Sequence, residues 1–181
     1  MLVPHYAEPV ARAATPAIAA LVAAGVPHEV LQYHHDPRNS SFGEEAAEAL
    51  ARTDGIDPEQ VFKTLVVAMS SAPTSGPGRG IRLGVAVIPV PAKLSLKATA
   101  TALGVPKVTM AERAAAERSS GYVIGGISPF GQRKQLPTVV DESALRWDRV
   151  LCSAGKRGWD VAVHPRDLIS VTNATTAAIR A

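Results

Sequence analysis

The chain has 181 residues, of which 46% are apolar and 19% are charged, a balance typical of one globular domain with a sizeable core. Aromatic residues make up only 4%, which counts against a stacking platform for single-stranded nucleic acid. The net charge of +3 and the pI near 9.2 are a mild basic bias, compatible with a phosphate-bearing partner.

Residues 1–14 come first, and we predict that they form an N-terminal extension to the domain. They lack the cationic start and apolar stretch of a secretory signal peptide. Behind them, Thr15-Pro16, an apolar run and Gly25 are typical of a helix with an N-cap and a left-handed end. The rest of this half predicts a strand over 28–33, a helix over 44–52, a short capped helical turn over 57–60 and a strand over 63–69.

Residues 70–80 are rich in Pro, Gly and Ser and predict a loop, and residues 81–90 return as the second strand of an antiparallel hairpin. Beyond the hairpin, the sequence predicts helices over 94–103, 111–118 and 165–172, and strands over 122–127, 138–140, 150–153 and 160–163. Helices and short strands do not alternate strictly. We therefore predict an α+β fold in which residues 15–181 form a single domain, with a mixed, curved, barrel-like sheet flanked by helices.

Cys152 is the single cysteine, so the sequence allows neither an intramolecular disulfide nor a cysteine-rich zinc site. The apolar runs are shorter than a membrane span. Together these features predict a cytoplasmic protein without a membrane partner. No signature supplies a base for Cys152, so a small core residue is the more common interpretation of this thiol.

Lys63 is the residue that the strand pattern singles out. It shares the parity of Leu65 and Val67 in a run that is apolar on both faces. Because an unpaired buried ammonium is costly, a lysine there must form a pair, reach a pocket or extend to the edge of the sheet. A strand-end lysine in water is the alternative, and the pattern alone does not separate the two.

Two further segments invite a functional interpretation. His34-His35-Asp36 suggests a metal site, but no other ligands follow at a recognisable spacing, so we expect neither a metal nor a cofactor. The glycine-rich segment Gly125–Gly131 does not open a helix, so it is no dinucleotide fingerprint. Its backbone can approach a ligand closely, and a tight connection after a strand is the alternative.

Five segments, taken together and in order, resemble one protein family. They are Tyr33–Asp36 with Phe42-Gly43, Gln60–Leu65, Gly121–Lys134, Leu136–Thr138 and Gly155–Asp160. The combination resembles the YbaK/EbsC group of Cys-tRNA(Pro) deacylases, relatives of the editing domain inserted in bacterial prolyl-tRNA synthetases. That family has a mixed, barrel-like sheet flanked by helices, which agrees with the fold predicted above.

The resemblance implies an enzyme that acts in trans on mischarged tRNA and removes cysteine from Cys-tRNA(Pro), with Cys-tRNA(Cys) as a further substrate. In the family's proposed chemistry the substrate thiol attacks its own ester carbonyl and leaves as a cyclic thioester. The enzyme then needs no nucleophile of its own and works by holding the thiol near the carbonyl. The implied partners are the acceptor 3′ end of the tRNA and prolyl-tRNA synthetase.

The resemblance also implies roles for individual residues. Lys63 would anchor the tRNA 3′ end, and the N–H groups of Gly125 and Gly126 would steady the developing oxyanion; these three are the predicted catalytic residues. The predicted substrate-binding residues are Tyr33, Phe42, Ile127, Ser128, Pro129 and Asp160. The predicted tRNA contacts, Arg133, Lys134, Lys156 and Arg157, rest on their charge alone, and an ordinary solvated loop is the alternative for each.

Two other functions stay open at this point. One is a sister deacylase for another mischarged tRNA such as Ala-tRNA(Pro). The other is a non-catalytic module that binds tRNA or a synthetase through the same pocket. A turnover assay on a panel of mischarged tRNAs separates the three.

Overall fold

The computed structural model describes residues 15–70 and 81–181. The predicted extension, residues 1–14, and most of the predicted loop, residues 71–80, lie outside the described residues, so the predicted domain boundaries stay a prediction. No helix in the described part of the chain is long and apolar enough to cross a membrane.

Helices and strands of the described residues are as follows. The α-helices are Pro16–Ala23 (α1), Phe42–Asp54 (α2), Leu96–Ala102 (α3), Arg113–Ser120 (α4) and Pro165–Thr172 (α5), with short 3-10 helices at Pro58–Gln60 and Glu142–Arg146. The strands are His28–Gln32 (β1), Val61–Met69 (β2), Arg82–Pro89 (β3), Val108–Met110 (β4), Thr138–Asp141 (β5), Val150–Lys156 (β6), Trp159–Val163 (β7) and Thr175–Ala177 (β8).

All eight strands form one sheet in the order β1-β7-β6-β2-β3-β5-β8, with β4 paired to the end of β2. The pairs β1–β7, β7–β6, β2–β3 and β2–β4 are antiparallel, whereas β6–β2, β3–β5 and β5–β8 are parallel. The sheet curls into a half-barrel with helices around it. The predicted mixed, curved sheet and the predicted hairpin of β2 and β3 are thus confirmed.

Strand β2 lies in the middle of this sheet, and the side chains on its two faces pack into different hydrophobic clusters. The even-numbered residues Phe62 and Val66 belong to the main hydrophobic cluster. The odd-numbered residues Val61 and Val67 belong to smaller clusters. Because side chains alternate along a strand, Lys63 shares the face of Val61 and Val67, away from the main core.

Local chemistry explains where several elements begin. The Thr15 hydroxyl accepts a hydrogen bond from the Ile18 N–H at 3.2 Å and caps α1, as predicted. Asp57 and Gln60 form a reciprocal capping box around the predicted helical turn.

The predicted strand over 122–127 is wrong. Its β-branched and aromatic residues favour a strand, but Gly121 and Gly125 adopt φ values of +81° and +86°, which an extended strand does not allow. The Gly126 N–H donates to the Val123 carbonyl at 2.9 Å and closes a turn instead. The three-residue strands β4 and β8 and the 3-10 helix at Glu142–Arg146 were not predicted.

Candidate functional site

A cavity of about 350 Å³ opens between the N-terminal end of α2, the first half of β2 and the loop that joins α4 to β5. It brings together six of the predicted site residues: Tyr33, Phe42, Lys63, Gly125, Ile127 and Asp160. These six come from separate parts of the chain, and the paired strands β1, β7, β6 and β2 carry or adjoin three of them.

Lys63 extends from β2 and donates a 2.8 Å hydrogen bond from Nζ to the carbonyl oxygen of Val90, just after β3. Its side chain is half-buried, and this burial lowers its pKa, while the Glu44 carboxylate acts in the opposite direction. An ammonium has three donors, and Val90 is its one hydrogen-bond partner within the described ranges. The remaining donors can therefore serve a bound anion or ester.

Asp160 and Tyr33 form a second polar region of the cavity. Asp160 lies on β7 with only 4% of its surface exposed, and this burial raises the pKa of its carboxyl to about 7. Tyr33 follows β1, where its N–H donates to the Gly158 carbonyl at 2.9 Å. Burial, and next the charge of Asp160, raise the pKa of the Tyr33 phenol, so Tyr33 is a neutral hydroxyl at physiological pH.

Gly125 is the glycine of the α4–β5 loop that reaches the cavity. Its φ of +86° and its contact with Phe42 both require the absence of a side chain. A Cβ built on Gly125 would lie 2.6 Å from Cδ2 of Phe42, closer than carbon atoms can pack. The aromatic ring therefore lies directly on the glycine backbone.

Gly126 does not line the cavity, and its N–H is already bonded to the Val123 carbonyl. A Cβ built on Gly126 would lie 3.3 Å from the backbone nitrogen of Arg157, which shows how tightly the loop packs on the turn between β6 and β7. Of the two glycines predicted to supply oxyanion donors, only Gly125 lines the cavity.

Ser128 and Pro129 also lie outside the cavity. Ser128 is fully buried, and its hydroxyl accepts a hydrogen bond from the Phe130 N–H at 3.2 Å. Pro129 lines a different cavity, beside Gln132. Both residues belong to the second half of the α4–β5 loop. The Tyr122 hydroxyl stabilises this half by donating a hydrogen bond to the Phe130 carbonyl at 2.7 Å.

Three of the four basic residues predicted to contact tRNA are exposed. Arg133 and Lys134 follow the loop, and a Cβ built on Gly121 would lie 3.5 Å from Cβ of Arg133. Lys156 is exposed on the neighbouring turn, with Nζ 4.9 Å from the ring centroid of Trp159. Arg157 is half-buried, and its guanidinium donates two hydrogen bonds to the Ile124 carbonyl, so its charge serves the protein itself.

The segment His34-His35-Asp36 anchors the start of α2. Glu45 accepts a hydrogen bond from the Asp36 N–H at 2.8 Å, and its other oxygen lies 2.6 Å from Nδ1 of His35. The His35 ring in turn lies 5.7 Å from the Phe42 ring, measured between centroids. These contacts place Phe42 over the cavity.

Several polar residues of the cavity wall were not predicted: Ser40, Ser41, Glu44, Thr64 and Ser153. Glu44 could have been predicted, because acidic residues favour the first turn of a helix and this turn also carries the predicted site residue Phe42. Thr64 had none, although its Oγ1 is buried without a hydrogen-bond partner in the described part of the chain.

Comparison with known proteins agrees with this architecture. Residues 43–171 match the sequence model of the aminoacyl-tRNA editing domain. EbsC from Enterococcus faecalis (strain ATCC 700802 / V583), whose name proposes it as a Cys-tRNA(Pro)/Cys-tRNA(Cys) deacylase, is 39% identical over 134 residues, which cover 74% of this chain and 76% of EbsC.

Two crystal structures share the fold at 22% sequence identity. That of hypothetical protein APE2540 gives a TM-score of 0.75 and covers 92% of this chain and 100% of the other. That of a protein described as a proposed trans-editing enzyme for prolyl-tRNA synthetase gives a TM-score of 0.73 and covers 97% and 99%. The match over residues 43–171 and the 39% identity with EbsC show that the chain belongs to the aminoacyl-tRNA editing domain family.

Proposed function

We propose that the chain is a trans-editing deacylase that cleaves the ester of Cys-tRNA(Pro), and of Cys-tRNA(Cys), with the substrate's own thiol as nucleophile. The observation that carries this proposal is a single cavity in which the half-buried Lys63 and the bare backbone of Gly125 line the same space. Its volume of about 350 Å³ lies within the range of small-molecule sites. The name given to EbsC supports the substrate.

The cavity walls favour a substrate-supplied nucleophile. Cys152 is fully buried, and burial raises the pKa of its thiol, so it is not a reactive thiolate. The serines of the cavity wall have no hydrogen bond to a histidine or lysine among the residues described, and Ser153 accepts from the Gly155 N–H. The chemistry of a serine or cysteine hydrolase therefore lacks its base.

In the proposed reaction, the cysteinyl sulfur attacks its own ester carbonyl. A carbon–sulfur bond forms, the carbon–oxygen bond to the ribose breaks, and the ribose oxygen leaves with the proton of the thiol. The products are a cyclic thioester and free tRNA. The protein contributes geometry and charge: the Gly125 N–H faces the oxyanion, and Lys63 neutralises the ribose–phosphate end.

Asp160 and Tyr33 are proposed to hold the aminoacyl group. The buried carboxylate pairs with the α-ammonium of the substrate, which lowers the desolvation cost of keeping Asp160 ionised. The Tyr33 hydroxyl supplies a neutral donor, and Phe42 and Ile127 close the apolar side. Lys134, Arg133 and Lys156 are proposed to meet the tRNA backbone from the exposed rim.

Prolyl-tRNA synthetase is proposed as the partner that supplies tRNA selectivity, in the cytoplasm where charging takes place. The test is a deacylation panel with Cys-, Ser- and Ala-tRNA(Pro) and Cys-tRNA(Cys), with and without the synthetase. Rapid loss of cysteine with little loss of the isosteric serine is the expected result. Preference for alanine would support the sister-deacylase alternative, and binding without turnover of any substrate would support the non-catalytic one.

A further inference from the structure

We propose that Arg157 is a positioning residue that fixes and polarises the peptide group between Ile124 and Gly125, and thereby aims the Gly125 N–H into the cavity. This assigns the arginine to the loop and not to tRNA. The inference rests on the proposed function, because a directed N–H matters for catalysis only if an oxyanion forms beside it.

The first observation is a two-donor contact. Nε and Nη2 of Arg157 donate to the single carbonyl oxygen of Ile124, at 3.0 and 2.7 Å. The arginine can reach it because it lies in the tight turn between β6 and β7, where Gly155 and Gly158 adopt φ values of +89° and +82°. Two donors on one acceptor fix the direction of the carbonyl group better than a single donor does.

The second observation is the geometry of the peptide group itself. The Ile124 carbonyl and the Gly125 N–H belong to one planar trans peptide, so they point in opposite directions. Fixing the oxygen therefore fixes the hydrogen. A cation on the oxygen also polarises the amide, which makes its N–H a stronger donor. Gly125 lines the cavity. The proposal assigns its N–H, turned away from the Arg157 side of the peptide, to the reaction centre.

The third observation is that the same stretch of backbone is held from its other side. The Ile124 N–H donates to Oε1 of Glu117 on α4 at 2.9 Å, and Arg113 pairs with this carboxylate at 3.3 Å. The Ile124 N–H bond contributes most to keeping the pKa of Glu117 low. Ile124 is thus clamped between a carboxylate on its N–H and a guanidinium on its carbonyl.

An aromatic contact completes the arrangement. Cζ of Arg157 lies 4.4 Å from the ring centroid of Phe42, which itself lies on Gly125. The guanidinium is engaged with the carbonyl and the ring together. Lys156, the preceding residue, is exposed and offers a matched comparison for the role of a tRNA contact.

The test compares Arg157→Lys and Arg157→Gln with Lys156→Gln on Cys-tRNA(Pro). Lysine keeps the charge and the stem but cannot reproduce the fork of two donors. We expect both Arg157 variants to lower kcat by about 10- to 100-fold with KM within about 3-fold. This is less than the about 100- to 1000-fold lost with a whole oxyanion donor, because the Gly125 N–H is still present. Lys156→Gln should raise KM and flatten the salt dependence with little change in kcat.

A second readout needs no activity. In ¹⁵N-labelled protein, the Gly125 amide proton should move upfield in Arg157→Lys and stay in place in Lys156→Gln. Failure of the proposed function would leave this shift intact, so the two failures are distinguishable. An unmoved Gly125 resonance overturns the inference, and so does a KM effect with a flatter salt slope in Arg157→Gln. Unfolding of both Arg157 variants would also overturn it, because it would assign the arginine to the core.

Discussion

Lys63 directs its ammonium at the carbonyl oxygen of Val90, 2.8 Å away, and not at a carboxylate. A carbonyl holds the side chain in place but neutralises little of its charge. Because the ammonium is half-buried, that charge is also poorly screened by water. The contact therefore presents a positioned cation, which only the charge of Glu44 partly offsets, to whatever occupies the cavity.

Replacing Lys63 by alanine is expected to lower kcat/KM for Cys-tRNA(Pro) by at least about 100-fold, because the cation that faces the substrate is lost. The fold should persist, since the one charge that acts on Lys63, the Glu44 carboxylate, is exposed and is not left buried without a partner. Deacylation rates and circular-dichroism melting measure the two effects. Lys97→Ala, an exposed lysine on α3, is the matched control, and wild-type rates in Lys63→Ala would refute the role.

Gly125→Ala is expected to abolish most of the activity, because the new Cβ meets the Phe42 ring and the positive φ strains the backbone by about 1–2 kcal/mol. Gly25→Ala separates the two causes, because Gly25 has a φ of +65° with nothing within 4 Å of its Cβ position. In a double-mutant cycle, Gly125→Ala should cost less stability in the Phe42→Ala background. Strict additivity would contradict the contact.

Asp160 should make the protein less stable as pH rises from about 4 to 7. Burial raises its folded pKa to about 7 from an ordinary value of 3.8, so the native state keeps a proton that the unfolded chain has lost. Below pH 4 both states are protonated and the effect vanishes. Urea unfolding of wild type and Asp160→Asn at several pH values should show a gap in favour of the variant that grows through this window.

Asp36→Asn provides the contrast for that experiment. The side-chain hydrogen bond from Arg38 is the main cause that holds the pKa of Asp36 low. The contribution of Asp36 to stability therefore has the opposite sign. It is present above the unfolded pKa and is lost as pH falls through the folded pKa. A gap between wild type and Asp160→Asn that does not change between pH 4 and 8 would refute the raised pKa.

Cys152→Ala is expected to retain full deacylase activity and to cost about 1 kcal/mol of stability, because the thiol is a small, fully buried core group on β6. The wild-type thiol should not react with an aromatic disulfide reagent until the protein is unfolded. A large loss of kcat in Cys152→Ala, or rapid labelling of the native protein, would instead indicate that Cys152 is a reactive nucleophile.

The double variant Arg133→Gln/Lys134→Gln is expected to raise KM while kcat stays nearly constant. The slope of log kcat/KM against log salt concentration should become shallower by about 1 to 2. Both residues are exposed beside the loop that forms the cavity wall. Arg166→Gln, an exposed cation on α5, is the control. An unchanged salt slope in the double variant would place the tRNA elsewhere.

Most helices and the longer strands could be predicted from local signals. The cap of Thr15, the left-handed Gly25 and the doubly buried β2 each depend on residues close in sequence. Strands β4 and β8 have three residues each, too few for an alternating pattern to be detected. They form because their backbones pair with the free edges of β2 and β5. Tertiary pairing decided these elements, not propensity.

The residues of the site were likewise predictable only in part. Pattern and resemblance together identified Lys63, and the structure places it in the cavity with Asp160. Arg157 was predicted to contact tRNA because it belongs to a basic pair that could meet phosphates. Its partner Ile124 lies 33 positions away, and no local pattern shows that bond.

The central position of β2 has a consequence for how such a pocket can diversify. β2 pairs with β3 along residues 62–69, and its two ends pair on the other side with β6 and β4. Its amides that pair with β3 should therefore be among the slowest to exchange with solvent, and Lys63 lies within this paired stretch. Two further parts of the wall, the start of α2 and the loop around Gly125, do not belong to the sheet. Amino-acid preference can therefore be retuned by exchanging these two segments while the lysine and its strand stay unchanged.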